Sequence, residues 1–190
     1  QQESGLCANC RHRIDANPLR VLDCKVPECR AITETAPRLG DSLSEAARSY
    51  FTQVLTGLDT IKIPYSLNHR LVRGLDYYNL TTFEVTATNL GAQNAVGAGG
   101  RYDQLVETLG GPPTPAVGFA IGLERMSMLL PESTTARAPE DLAIYVAGFG
   151  SHGAMAGLTA LEELRLAGLR AVSDFRSTTL KAHLRQADRL

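Results

Sequence analysis

Apolar residues recur at helical spacing in one long segment of the chain. Between residues 43 and 58 they fall at positions i, i+3, i+4, i+7, i+8, i+11, i+12 and i+15. This spacing predicts a single amphipathic helix whose apolar stripe packs on a core. The residues Ser42 and Glu45, three positions apart, predict a capping box at its start.

Short runs rich in β-branched, aromatic or small residues follow this helix and predict strands. At least three strands in succession, with only short helices between them, favour an antiparallel sheet. The predicted strands cover 63–72, 81–88, 92–100 and 116–121, and short helices are predicted at 102–109 and 123–130.

The pattern changes after a polar, proline-bounded segment at residues 131–140, which predicts a linker between domains. Beyond it the elements alternate, as is typical of the opening of a parallel α/β domain. The predicted order is strand 142–147, helix 152–167, strand 169–173 and helix 178–190. The chain is therefore predicted to be α+β, with an antiparallel sheet ahead of the start of an α/β domain.

Composition and charge narrow the possible functions. The 190 residues are 44% hydrophobic and 21% charged, and their formal net charge is −1, so no bulk charge draws the chain to nucleic acid. Residues 142–161 carry no formal charge and are numerous enough to span a membrane. Four glycines and the pair Ser151-His152 in that stretch instead favour a strand, a turn and a helix. With no signal peptide visible, we expect a cytoplasmic protein without a membrane partner.

Four cysteines lie within the first thirty residues. Cys7 and Cys10 form a C-x2-C pair, and Cys24 and Cys29 form a C-x4-C pair thirteen residues later. Two close pairs joined by a short loop suit a tetrahedral zinc site. Free thiols, with Cys24 as a small core residue, are the main alternative, and disulfides are disfavoured without a secretion signal.

The candidate chemistry lies between residues 70 and 125. Arg73 precedes two adjacent phenols, Tyr77 and Tyr78, in a short string that contains a glycine. The run 97–100 is small enough for a ligand to lie against its backbone, and Tyr102 follows it. Arg125 lies in the first turn of a predicted helix, where a phosphate is favoured. Each feature taken alone also has an ordinary structural explanation, such as strand aromatics, a tight turn or a solvated arginine.

Three strings taken together resemble the histidyl-tRNA synthetases, a family of class II aminoacyl-tRNA synthetases. They are LVRGLDYY at 71–78, AGGRYD at 98–103 and PAVGFAIGLER at 115–125. The string NPLRVLD at 17–23 also looks like the segment inserted into that family's catalytic domain. The first two class II motifs are not found in this sequence, so the resemblance is to part of the family's chain.

The resemblance implies a division of the chain into family domains. Residues 1–60 would belong to the insertion domain, 61–130 to the C-terminal half of the catalytic domain, and 141–190 to the start of the anticodon-binding domain. The implied activity is activation of histidine with ATP and Mg²⁺ to histidyl-adenylate, followed by transfer to tRNA. The complete protein would be a homodimer that binds histidine, ATP and tRNA.

The resemblance also implies roles for single residues. Arg73 would contact the α-phosphate and the substrate carboxylate, and Arg125 would lie against ATP. Separately from the resemblance, the zinc site predicted from the cysteine spacing would be structural, because its four ligands lie in one short segment far in sequence from Arg73. The histidine pocket would be formed by Tyr77, Tyr78, Tyr102, Gly99 and Gly100.

Two alternatives remain at this point. The regulatory subunit of ATP phosphoribosyltransferase resembles the same catalytic fold but charges no tRNA, and the chain could also be a non-catalytic piece. The presence of Arg73 and of an α/β segment after the linker favours the synthetase. On the last predicted helix, Lys181, Arg185 and Arg189 form a basic stripe, which fits either a solvated face or contacts to RNA phosphates.

Overall fold

The structure is a computed structural model that describes residues 3–91, 94–131, 144–176 and 179–190. The chain forms two compact units. One comprises Gln1–Thr52 and Ser66–Glu132, and the other comprises Gln53–Tyr65 and Ser133–Leu190. All of the predicted linker at 131–140 except Pro131 lies outside the described residues.

Three short helices form a lobe at the start of the first unit, and residues 3–33 are called the cysteine lobe here. After a 3-10 turn at Glu3–Gly5, the helices are α1 (Ala8–Ala16), α2 (Leu19–Leu22) and α3 (Pro27–Ile32). Pro18 and Pro27 lie where α2 and α3 begin, and a proline's fixed φ favours the first turn of a helix. The buried side chains of the lobe's core are Leu6, Cys10, Val21, Cys24 and Cys29.

The long helix α4 spans Glu45–Thr60, which confirms the amphipathic helix predicted at 43–58. Its predicted capping box is wrong. Ser42 ends a 3-10 turn at Leu39–Ser42, and the hydroxyl of Ser44 accepts the hydrogen bond from the backbone N–H of Ala47, at 3.2 Å. A serine directly before the first helical residue has the correct reach to the third helical N–H, and a serine two residues earlier does not.

The strand predicted at 63–72 is also wrong. Residues 61–78, all of them described, form neither helix nor strand. The segment is held by local and side-chain bonds instead: the Asn68 side chain accepts from the N–H of Arg70 at 3.0 Å. The loose alternation of apolar residues lacks a neighbouring strand to pair with, and Pro64 removes one of the donors that a strand needs.

A three-stranded antiparallel sheet follows, which confirms the predicted antiparallel core. Its strands are β1 (Asn79–Thr86), β2 (Ala95–Arg101) and β3 (Val117–Ile121), with β2 in the centre. Gly100 pairs with Thr82 of β1 and with Gly118 of β3, and this register fixes which side chains share a face. The helices around β3 are shorter than predicted: α5 is Leu105–Thr108 and α6 is Leu123–Ser127.

The second unit contains the βαβα order predicted after residue 141. Its elements are β4 (Ile144–Tyr145), α7 (Gly150–Leu166), β5 (Ala171–Val172) and α8 (Leu180–Ala187), and β4 and β5 pair in parallel. Helix α8 ends before Arg189, so the predicted stripe has only Lys181 and Arg185 on the helix itself. Among the described residues, no helix combines the length and the apolar character that crossing a membrane requires.

Candidate active site on the central strand

Two adjacent tyrosines, Tyr77 and Tyr78, form one cluster with Tyr102 at the start of the sheet. The ring centroids of Tyr77 and Tyr78 are 4.7 Å apart, and Tyr102 lies 5.5 Å from the first and 6.1 Å from the second. The edge-on packing of Tyr102 against both is a favourable aromatic geometry. The structure therefore brings together the three phenols predicted to surround a substrate ring.

Glycines make room for this cluster on the sheet. A Cβ placed on Gly100 would lie 2.7 Å from Cδ1 of Tyr78 and 2.6 Å from the carbonyl oxygen of Thr81. A Cβ on Gly118, which pairs with Gly100, would overlap the hydroxyl of Tyr102. Only glycine allows the rings to approach the backbone this closely.

Gly99 lies on the other face of the sheet. A Cβ there would meet Cβ of Phe119, its partner in β3, at 2.6 Å. Adjacent residues of a strand alternate between faces, so of the two predicted glycines the structure brings only Gly100 to the tyrosines. Tyr77 and Tyr78 lie outside any strand, so strand alternation does not decide where their rings point.

Arg73 lies on the same face as the tyrosines. Its Nη1 donates to Oε1 of Glu84, which pairs with Ala98 of β2, two residues from Gly100. The two side chains are 28% exposed each. Nε of Arg73 is buried and has no hydrogen-bond partner among the described residues, so the guanidinium keeps a donor for another group.

The protonation of Tyr77 follows from its neighbours. A hydrogen bond with Tyr78, burial and the other phenols raise the pKa of Tyr77, and the charge of Arg73 offsets this only in part. The hydroxyl of Tyr77 therefore holds its proton near neutral pH. It can donate that proton in a hydrogen bond to a ring nitrogen.

Arg125 lies at the opposite end of β2. Its Nη1 donates to the carbonyl oxygen of Ala95 at 2.7 Å. Ala95 lies five positions before Gly100 on the strand, which corresponds to about 17 Å at about 3.3 Å per residue. Along the central strand, the order is thus tyrosines, Arg73 and then Arg125.

Two polar residues that the sequence analysis did not assign support this arrangement. Glu84 holds Arg73, and Asp103 accepts from Nε of Arg101 at 2.9 Å and from the N–H of Ala116 at 3.0 Å. Arg101 in turn donates to the hydroxyl of Tyr50 at 3.1 Å. An acidic side chain in the middle of a β-branched run is the signal that could have identified Glu84, because such a position needs a cationic partner when it is partly buried.

The four cysteines form a second site, away from the sheet. Their Sγ atoms all lie within 4.8 Å of one another, and all four are free thiols. Cys7 precedes α1, Cys10 lies in it, Cys24 lies between α2 and α3, and Cys29 lies in α3. Tetrahedral zinc, with Zn–S bonds of about 2.3 Å, places its sulfurs about 3.8 Å apart. The thiols thus need to move by about 1 Å or less to form the first coordination shell.

The thiols interact strongly with one another. A backbone hydrogen bond from Cys10 lowers the pKa of Cys7 to about 7, and burial raises that of Cys10 to about 12. For Cys29, the N–H of Cys7 donates to its sulfur at 3.2 Å, but burial and the neighbouring thiols outweigh this bond and raise its pKa. Four thiolates this close together need a cation to neutralise them.

Comparison with known proteins agrees with the motifs on the sheet. A family model described as "Histidyl-tRNA synthetase" matches residues 19–126. The histidine–tRNA ligase of Anaeromyxobacter dehalogenans is 48% identical over 188 residues, which cover 99% of this chain and 45% of that protein. The corresponding ligase of Desulfatibacillum aliphaticivorans is 46% identical, over 97% of this chain and 44% of that protein.

A solved structure shows the same similarity. The crystal structure of apo S. aureus histidyl-tRNA synthetase is matched with a TM-score of 0.52 and 33% identity, over 98% of this chain and 46% of that one. The chain spans about 45% of the length of the relatives that it matches. The comparisons give no support to a regulatory subunit of ATP phosphoribosyltransferase. With the family model covering more than half of its residues, the chain belongs to the histidyl-tRNA synthetase family.

Proposed function

We propose that the complete protein containing this chain activates histidine with ATP to histidyl-adenylate and transfers the histidyl group to tRNA. The observation that carries the proposal is the order of groups along β2. The phenol cluster lies over Gly100, Arg73 lies beside Glu84 opposite Ala98, and Arg125 lies at Ala95. This order matches that of the groups in the reaction. The tyrosines would face the histidine side chain, Arg73 its carboxylate and the α-phosphate, and Arg125 the rest of the nucleotide.

The tyrosines recognise the side chain of the amino acid in this proposal. Tyr77, Tyr78 and Tyr102 surround the imidazole, and their hydroxyls pair with its two nitrogens. An amino acid without ring nitrogens would leave these partly buried hydroxyls without hydrogen-bond partners, which costs binding free energy. The tyrosine pocket therefore rejects such an amino acid more strongly than an apolar pocket would. Gly100 provides the floor beneath the ring, and Gly99, on the opposite face, contributes through its backbone alone.

Arg73 acts at the reacting centre. The histidine carboxylate attacks the α-phosphorus of ATP, and pyrophosphate leaves. Negative charge grows on the α-phosphate oxygens as this happens, and the guanidinium of Arg73 stabilises it. Glu84 keeps the guanidinium pointed along the sheet while leaving its Nε as a free donor. This is catalysis by positioning and charge, without a covalent bond to the protein.

Two cofactors complete the proposal. ATP enters with Mg²⁺, and Arg125 contacts the nucleotide at the Ala95 end of the strand. Zinc binds Cys7, Cys10, Cys24 and Cys29 for structure and not for chemistry. Four thiolates fill all four tetrahedral positions, so none is left open for a substrate.

The remaining assignments concern the complete protein. Residues 1–60 belong to the insertion domain, 61–130 to the C-terminal half of the catalytic domain, and 141–190 to the start of the domain that binds the anticodon, with 131–140 as a linker. The complete protein works as a homodimer in the cytoplasm. These assignments are supported by the family of the chain and by the α/β elements found beyond residue 144.

Histidine-dependent exchange of pyrophosphate into ATP tests the function directly. The complete protein is expected to catalyse this exchange with histidine and not with phenylalanine or glutamine at equal concentration. Addition of tRNA and labelled histidine is expected to give charged tRNA. Binding of histidine without exchange and without charging would contradict the proposal and favour a binding subunit.

A further inference from the structure

We propose that the cysteine lobe positions the loop that carries Arg73, so that zinc binding about the four cysteines controls the rate of adenylate formation. The inference rests on the proposed function and on the proposed zinc ion. It assigns Asn17, Arg20 and Thr33 as positioning residues that act through their contacts with residues 70–76.

The loop needs an external support because it has no regular structure of its own. Residues 61–78 form neither helix nor strand, and Arg73 lies within this segment. The bond to Glu84 fixes the end of the Arg73 side chain, but no hydrogen-bond ladder fixes its backbone. The position of a guanidinium depends on both ends of its side chain.

The first contact lies just after Arg73. Asn17, which follows the last residue of α1, donates from Nδ2 to Oδ1 of Asp76. Its backbone N–H donates to the carbonyl oxygen of Arg13 at 2.7 Å, which fixes Asn17 to the end of α1. Because α1 also carries Cys10, this contact is attached to the cysteine cluster through one short helix.

The second contact is directly adjacent to Arg73. The guanidinium of Arg20, in α2, lies against Gly74 so closely that a Cβ on this glycine would be 2.8 Å from Nη1 of Arg20. Gly74 thus leaves room for a side chain of the lobe beside the loop. Cys24 follows α2 by two residues and attaches it to the cluster.

The third contact lies before Arg73. Arg70 donates from Nη2 to the carbonyl oxygen of Thr33 at 3.0 Å and from Nη1 to its hydroxyl at 3.3 Å. Thr33 is 8% exposed, and its hydroxyl donates to the carbonyl oxygen of Cys29 at 2.9 Å. This contact joins the loop to α3 next to the third buried cysteine.

Each contact therefore starts from a different helix of the lobe, and the cysteines are what these helices share. The helices have nine, four and six residues, and helices this short are unstable without tertiary packing. Apart from the cysteines, the buried core of residues 3–33 consists of Leu6 and Val21, and Ile14 and Ile32 pack against it while partly exposed. A core this small cannot by itself hold three helices in register, so bound metal supplies much of the order.

Amide hydrogen exchange of the complete protein, with and without its zinc, tests the coupling without relying on activity. Removal of zinc by a chelator is expected to increase exchange in the lobe and also at residues 70–76, while β1, β2 and β3 keep their protection. Readdition of zinc should restore both segments. Increased exchange in the lobe with unchanged exchange at 70–76 would overturn the proposal.

Variants of the contacts test it with the metal in place. The double variant Asn17→Ala/Arg20→Ala is expected to retain one zinc per chain and to lower kcat of pyrophosphate exchange about tenfold or more, because displacing a catalytic group by about 1 Å is costly. KM for histidine should stay within about twofold, because the tyrosine pocket rests on the sheet. Arg30→Ala, an exposed arginine in α3 of the same lobe, is the matched control and should leave kcat unchanged.

The zinc dependence of the variant completes the test. If the lobe acts through these contacts, removing zinc should lower kcat of the unsubstituted enzyme strongly. In the double variant, whose contacts are already lost, removing zinc should lower the remaining kcat less than about twofold. Cys7→His, which preserves a zinc ligand, should retain kcat, and Cys7→Ser should lose it together with the metal. Equal kcat for the double variant and the unsubstituted enzyme would overturn the proposal. Absence of exchange activity in the unsubstituted protein would instead contradict the proposed function, and hydrogen exchange at 70–76 would still decide the coupling.

Discussion

The sheet and the cysteine lobe hold their residues in place by different means. In the sheet, strand pairing decides which face each side chain occupies: β2 pairs with β3 without interruption, and with β1 in one regular run, Thr82–Val85, between two register shifts. In the lobe, three helices of nine residues or fewer surround a core composed largely of cysteines. The sheet is held by its own hydrogen bonds, whereas we expect the order of the lobe to depend on a cation bound by the thiols.

The segment between them depends on both regions. The guanidinium of Arg73 is anchored to the sheet through Glu84. The chain contacts the lobe through Arg70 before it and through Gly74 and Asp76 after it. Two of the tyrosines contact the sheet directly, Tyr78 over Gly100 and Tyr102 over Gly118. The comparison teaches that the two parts of the candidate site have different supports, so we expect variants of the lobe contacts to affect Arg73 more than the tyrosine cluster.

The largest expected effect is that of metal removal on the lobe. The purified protein should contain about one zinc ion per chain, and a chelator should abolish protection of residues 3–33, since metal binding provides much of the folding free energy of such small modules. Elemental analysis and hydrogen exchange measure the two quantities. Absence of metal together with four freely reactive thiols would show that the lobe is a plain thiol core, and the contrast with the sheet would disappear.

The next effect concerns catalysis. Arg73→Lys in the complete enzyme is expected to lower the rate of pyrophosphate exchange about 100-fold or more, because an ammonium group cannot reproduce the planar, multiple donors of a guanidinium. The melting temperature should change little, since the side chain is not part of a core. A rate within a fewfold of the unsubstituted enzyme would remove Arg73 from the mechanism.

A smaller effect is expected from one methyl group on the sheet. Gly100→Ala introduces a Cβ 2.7 Å from the Tyr78 ring, which should displace the ring, raise KM for histidine and destabilise the protein by about 1–3 kcal/mol. The matched control is Gly57→Ala in α4, where a Cβ would meet nothing within 4 Å. That variant should be more stable by about 0.5–1 kcal/mol.

Kinetics and denaturant unfolding compare the two glycine variants. A Gly100→Ala enzyme with unchanged KM for histidine would show that the tyrosine cluster does not form the histidine pocket. If Gly57→Ala proved equally destabilising, the loss at Gly100 could not be assigned to contact with the ring.

The smallest effect is expected in the second unit. Replacing Lys181, Arg185 and Arg189 by Ala should weaken tRNA binding for all sequences alike, and should reduce the slope of log affinity against log salt by about 2 for three lost phosphate contacts. Histidine activation without tRNA should be unaffected. The test distinguishes RNA contacts from a solvated surface, since unchanged tRNA affinity at low salt would favour the latter.

Sequence patterns predicted the helices and strands correctly where the residues of one element alone carry the signal. The stripe of α4, the β-branched run of β1 and the glycine-rich β2 are local patterns, and each was found within a few residues of its predicted bounds. The strand predicted at 63–72 failed because strand formation needs a partner, which no local pattern guarantees. For the same reason the sequence alone did not show that residues 70–76 rest on the cysteine lobe.

The candidate site shows the same division. The motifs predicted a site at the tyrosines and Arg73, and the structure brings these residues to one face of the sheet. Glu84 and the contacts of Asn17, Arg20 and Thr33 are apparent only in three dimensions. These residues are separated from their partners by 11 to 59 positions. Nothing in the spacing of residues reports a contact over such a distance.

What the sequence by itself determined is the set of chemical groups and the local preferences of the chain. It supplied four thiols with zinc-like spacing, three phenols, two arginines and the small residues that let rings approach the backbone. The tertiary structure decided which of these groups meet: Gly100 and not Gly99 lies under the tyrosines, and the Arg73 loop lies against a lobe that precedes it by about fifty residues. The physical reason is that pairing and packing are properties of two segments at once. A local sequence pattern describes one segment, so it does not report which other segment will contact it.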